Sequence, residues 1–112
     1  MSPITTHILD TARGKPASGV PVRLEHLNGD AWIPAGAGVT DVDGRVRDLL
    51  PAGKLAEGMY RITFDTATYF VEQRTPGFYP YVQVVFDIED PSQHYHVPLL
   101  LSPYGFSTYR GS

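Results

Sequence analysis

Tyr60-Arg61-Ile62-Thr63-Phe64-Asp65-Thr66-Ala67-Thr68-Tyr69-Phe70-Val71-Glu72-Gln73-Arg74 changes period part-way along, and that change decides the fold class. Tyr60, Ile62 and Phe64 alternate with Arg61 and Thr63, which puts three large apolar side chains on one face of a strand. From Asp65 the alternation stops. Asp65 is a candidate N-cap, Arg74 is a basic residue near the end, and Pro76-Gly77 follows as a stop, so the spacing predicts one short helix of about two turns. Upstream, Val20, Val22 and Leu24 alternate with Pro21, Arg23 and Glu25, and Asp43-Gly44 marks a tight turn. Eleven glycines and ten prolines in 112 residues punctuate further short apolar segments. The pattern predicts strands near residues 5–10, 20–27, 32–37, 45–50, 58–65, 81–89, 95–102 and 106–110. It describes an all-β, two-sheet sandwich of about eight strands with one helix, a single domain over residues 1–112.

Nine basic against twelve acidic residues give a formal charge of −3. That balance offers no basic face for nucleic acid. No apolar run approaches the roughly 18–20 residues that span a bilayer, so neither a nucleic-acid nor a membrane partner is expected. There is no cysteine, which removes disulfides, thiolate catalysis and cysteine-ligated zinc together. The first residues, Met1-Ser2-Pro3-Ile4-Thr5-Thr6-His7, lack the basic start and apolar stretch of a secretory signal. A cytoplasmic location is the expectation, with periplasm and peroxisome left open.

Residues 94–112 carry most of the candidate chemistry. His94 and His96 are separated by one residue in a predicted strand, so both point to one face, while Tyr95, Val97, Leu99 and Leu101 point into the core. Such a pair suits two chemistries. With His7 as third ligand it could hold zinc and activate a water. Without metal, a neutral imidazole can itself take a proton from water near pH 7. The bland reading is a pair of surface histidines on a sheet face. His26, at the end of a strand whose apolar face is already assigned, reads as a surface residue. Arg45 and Arg47 flank Val46 and share a strand face, which is ordinarily a solvated one. Over a cavity, though, a guanidinium fork fits an amide oxygen or an anionic heterocycle. Tyr104, Phe106 and Tyr109 also read as edge-strand aromatics, and Ser107, Thr108 and Ser112 as polar residues near a chain end.

Taken together these segments resemble the transthyretin-like family, in its enzyme branch, the 5-hydroxyisourate hydrolases. The likeness runs through Thr6-His7-Ile8-Leu9-Asp10-Thr11-Ala12, Gly14-Lys15-Pro16-Ala17, Thr40-Asp41-Val42-Asp43-Gly44-Arg45, Tyr60-Arg61-Ile62-Thr63-Phe64-Asp65-Thr66 and Phe78-Tyr79-Pro80. It ends in His94-Tyr95-His96-Val97-Pro98-Leu99-Leu100-Leu101-Ser102-Pro103 and the tetrapeptide Tyr109-Arg110-Gly111-Ser112, its most specific element. The resemblance implies a homotetramer, a dimer of dimers, with active sites in the channel between dimers. It implies hydrolytic opening of 5-hydroxyisourate, the product of urate oxidation, to 2-oxo-4-hydroxy-4-carboxy-5-ureidoimidazoline, with no cofactor and no metal. Carried onto this chain, the implied catalytic residues are His7, Arg45 and His96. His7, Arg45, Tyr109 and Ser112 are the implied substrate contacts. One of His7 and His96 would activate water and the other orient or relay. Asp41 stands where asparagine is common in the family, before a turn that accepts either. The rival readings are a transthyretin-like carrier of a small hormone without catalysis, a zinc hydrolase on His7, His94 and His96, and a purely structural sandwich.

Overall fold

Period-two alternation becomes strand wherever it is uninterrupted. A computed structural model describes residues 2–112 and contains eight strands and one helix: β1 Ile4–Asp10, β2 Lys15–Pro16, β3 Pro21–Asn28, β4 Ala31–Val39, β5 Gly58–Phe64, α1 Thr66–Glu72, β6 Val82–Ile88, β7 Tyr95–Ser102 and β8 Gly105–Thr108. They form two four-stranded sheets, β2-β1-β7-β8 and β4-β3-β5-β6. Every pairing is antiparallel except β1 with β7, which run parallel in the register Ile4 to Tyr95 through Asp10 to Leu101. The inner faces supply the core: Ile4 and Ile8 from β1, Val22 and Leu24 from β3, Tyr60, Ile62 and Phe64 from β5, and Tyr95, Val97, Leu99 and Leu101 from β7. No helix among the described residues is long and apolar enough to cross a membrane.

Asp65 caps α1 as its chemistry requires. One carboxylate oxygen accepts the Thr68 backbone N–H at 3.1 Å and the other accepts the Thr68 hydroxyl at 2.7 Å. The helix ends at Glu72, and Arg74 rather than Gly77 supplies the left-handed stop. Arg74 takes a left-handed φ of 52°, its N–H donates to the Val71 carbonyl, and the Thr75 N–H donates to the Phe70 carbonyl. Tyr69 locks the helix to the sandwich by donating its hydroxyl to Asp10 Oδ2 at 2.6 Å. Burial, with the Asp10 carboxylate beside it, pushes the Tyr69 phenol up to about 12.

The sandwich and its strand count agree with the sequence reading, but one strand does not form. Over residues 45–50 only Arg45 pairs, through a single bridge to His7, and the chain then turns. Val46, Leu49 and Leu50 are all buried, at a spacing of three and one that suits a coiled inward loop and not alternation. The eighth strand is instead β2, two residues with a proline at a sheet edge, where the missing N–H costs no ladder bond. The last strand ends at Thr108, two residues short of expectation, and the chain rejoins the sheet at Gly111, bridged to His96.

Candidate active site

The parallel pairing of β1 with β7 places residues about ninety positions apart side by side. Thr5 lies opposite His96 and His7 opposite Pro98. The core-facing residues of β1 are Ile4, Thr6, Ile8 and Asp10, so Thr5 and His7 face outward, as does His96 between the buried Tyr95 and Val97. One strand across and two residues along, the His7 and His96 positions are about 8 Å apart on this outer face. Arg45 is brought to the same face by its bridge to His7, and the Ile8 N–H to Gly44 carbonyl bond of 2.8 Å fastens the turn before it. On the other side the Gly111 N–H donates to the His96 carbonyl at 2.8 Å and delivers Ser112. The result is an open cleft of about 500 Å³ whose lining includes Thr5, Arg45, Arg47, His94, His96 and Ser112, with His7 beside it. A larger hollow of about 740 Å³ surrounds His26, Lys54 and Glu57. It lacks the convergent imidazoles and guanidinium, and chemistry rather than size decides between them.

Two glycines allow this convergence. A Cβ on Gly44 would strike the Ile8 carbonyl and come within 3.3 Å of the His7 ring, and Gly44 has a φ of 76°. A Cβ on Gly111 would lie 2.6 Å from His96 Cδ2 and 3.3 Å from Pro98 Cγ. Each imidazole therefore has backbone packed against one edge. The Arg45 turn is organised by Asp41: its Oδ1 accepts the Asp43 N–H at 2.9 Å and the Arg45 N–H at 3.1 Å, and its Oδ2 accepts Arg47 Nε at 3.2 Å. The bond from the Arg45 amide, foremost, holds the Asp41 carboxyl below its ordinary range, joined by the Asp43 amide and the Arg47 guanidinium.

His96 is held below the ordinary imidazole value. Burial is the main cause, followed by the charge of Arg45 and then by His94 and His7, while the Thr5 carbonyl opposes the shift. A ring of this kind is neutral at pH 7 and can accept a proton, beside a guanidinium able to hold developing negative charge.

Not every predicted residue reaches the cleft. Tyr109 stands at a separate hollow with Tyr95, Val97 and Thr108, and is 57% exposed. The neighbouring Arg110 lies 4.4 Å over the Tyr95 ring and donates to Gln93 Oε1. His26, expected on the surface, is half-buried: its ring stacks on Tyr60 at 4.3 Å and one ring nitrogen is 3.2 Å from the Glu57 carbonyl. Among the described residues no three His, Cys, Asp or Glu side chains stand together as metal ligands. His94 and His96 each turn a nitrogen to the Thr5 hydroxyl, at 3.1 and 2.8 Å. Thr5 is the residue the sequence reading missed, because its place beside both rings follows only from the β1–β7 register.

Residues 4–111 match the HIUase/Transthyretin family over almost the whole chain. The chain belongs to that family. A 5-hydroxyisourate hydrolase of Mus musculus is 47% identical over 113 residues, covering 99% of this chain and 96% of its own. One of Deinococcus radiodurans is 48% identical over 113 residues, covering 97% and 95%. In three dimensions this family member is similar to the 5-hydroxyisourate hydrolase of Klebsiella pneumoniae, with TM-score 0.84, 37% identity and coverage of 97% and 98%. It is similar too to sea bream transthyretin in complex with thyroxine, with TM-score 0.92, 33% identity and coverage of 97% and 94%. The HIUase/Transthyretin backbone thus serves an enzyme and a thyroxine-binding protein alike, so the choice between them rests on the side chains in the cleft.

Proposed function

We propose that this protein hydrolyses 5-hydroxyisourate to 2-oxo-4-hydroxy-4-carboxy-5-ureidoimidazoline in urate breakdown. The observation that carries the reading is the cleft itself, where an imidazole held neutral, a second imidazole and a guanidinium share one sheet face. The relatives named 5-hydroxyisourate hydrolase, at 47% and 48% identity, support the choice of substrate. His96 takes a proton from water as hydroxide adds to a ring carbonyl carbon, and Arg45 stabilises the oxyanion that forms. Collapse of that oxyanion breaks the ring C–N bond, and the proton held by the imidazolium returns to the departing nitrogen. His7, two residues along the adjoining strand, orients the water or relays the proton. Ser112 supplies a hydrogen bond to the ring from the same cleft.

The working form in this reading is a homotetramer, a dimer of dimers, with the outer face of the β2-β1-β7-β8 sheet lining the channel between dimers. The sheet edges β6 and β8 support it, because unpaired edges are ready to pair across a two-fold axis. Tyr109 joins the substrate contacts by way of that assembled channel. The test is spectrophotometric. Freshly generated 5-hydroxyisourate should decay faster in proportion to added protein, and decay at the buffer rate refutes the reading.

A further inference from the structure

Thr5 Oγ1 lies 2.8 Å from His96 Nδ1 and 3.1 Å from His94 Nε2. A hydroxyl has one proton to give and two lone pairs to receive. With both rings neutral and both bonds made, two arrangements use that proton. In one, Thr5 donates to His96 Nδ1, so the His96 proton sits on Nε2 and no lone pair is left for water. In the other, Thr5 donates to His94 Nε2 and His96 donates from Nδ1, which leaves His96 Nε2 bare as a base. We infer that Thr5 is a positioning residue that selects the tautomer of His96, by passing its single hydroxyl proton between His94 and His96.

The inference rests on the hydrolase reading for its consequence, but the proton arrangement stands on geometry alone. His94 is the exposed member of the pair. The groups facing His96 are Arg45, His94 and His7, with Arg47 also on the cleft wall. Of these, His94 alone has a hydrogen-bonded route to the His96 ring, through the Thr5 hydroxyl. Thr5 is fixed opposite His96 by the β1–β7 register, so the relay is built into the sheet and needs no loop movement.

The experiment is nitrogen NMR of histidine-labelled full-length protein, with kcat and KM measured alongside. In the unaltered protein at neutral pH, the two nitrogens facing Thr5 should be opposite in kind: His96 Nδ1 protonated and His94 Nε2 bare. Both protonated, both bare, or the reverse assignment overturns the inference, and this arm requires no variant. Thr5→Val should let His96 populate both tautomers. It should lower kcat about 10-fold, a part of the 10²–10⁴ that a positioned base contributes, with KM within about 2-fold. Thr5→Ser should restore both. Unchanged His96 tautomers in the valine variant, or no restoration by serine, overturn it. The NMR arm uses no substrate, so failure of the unaltered protein to turn over 5-hydroxyisourate counts against the hydrolase reading and leaves the tautomer result standing.

Discussion

Gly111→Ala tests whether the backbone against His96 sets the geometry of the base. Gly111 does not have a left-handed φ, so alanine brings no backbone strain and adds only volume. Its Cβ would lie 2.6 Å from His96 Cδ2, where carbon atoms settle at about 3.5–4.0 Å. Something must therefore yield by about 1 Å. If the ring yields, it leaves the 2.8 Å contact between Nδ1 and the Thr5 hydroxyl. If the terminal segment yields, the Gly111 N–H loses the His96 carbonyl and Ser112 leaves the cleft. A displacement of that size at a reacting group costs about 10²-fold in rate, or about 2.7 kcal/mol of barrier. Initial rates on 5-hydroxyisourate measure the loss, and amide exchange at position 111 reports which partner moved. The sandwich core is untouched, so Tm should change little. A kcat within about 2-fold of the parent, with the amide still protected, would show that this close approach does not hold the site.

Four further outcomes are expected. Because the folded His96 sits below the usual imidazole value, kcat/KM should fall only as pH drops through a point under 6.5, and an acid limb at or above 6.5 contradicts it. The same shift makes the unfolded chain bind more protons below 6.5, so Tm should decline as pH falls from there. Asp41→Ala removes the acceptor that orders the Arg45 turn and should lower kcat about 10-fold, whereas Asp41→Asn, whose amide oxygen still accepts the Asp43 and Arg45 amides, should keep most of the rate. Tyr69→Phe leaves the buried Asp10 short of its 2.6 Å donor and should cost about 1.5–3 kcal/mol in denaturant unfolding with kcat unchanged.

Much of the sandwich was legible because a half-buried strand writes its orientation into every second residue. Tyr60, Ile62 and Phe64, and the odd-numbered residues from Tyr95 to Leu101, face the core as their spacing says. Asp65 announced the helix start by its own chemistry. The helix end was less legible, since Arg74 adopts a conformation that composition assigns to glycine. Residues 45–50 were misread because Val46, Leu49 and Leu50 satisfy the core from a coiled path. Within the site, His96 and His94 were marked by their spacing. The place of His7, Arg45 and Thr5 depends on cross-strand register, which no local pattern encodes. Tyr109 and Ser112 lie three residues apart, yet only Ser112 lines the cleft of its own protomer, because the chain rejoins the sheet at Gly111.

The β1–β7 pairing has a consequence during biosynthesis. The hydrogen-bonding partner of Thr5 is made 91 residues after it, which at roughly 5–20 residues per second leaves β1 waiting about 5–20 s on the ribosome. During that interval the earlier segments can collapse into the β4-β3-β5 part of the second sheet, but nothing can yet complete the histidine cluster. Under the proposed mechanism, a chain cut before His96 lacks the base and should show no turnover of 5-hydroxyisourate.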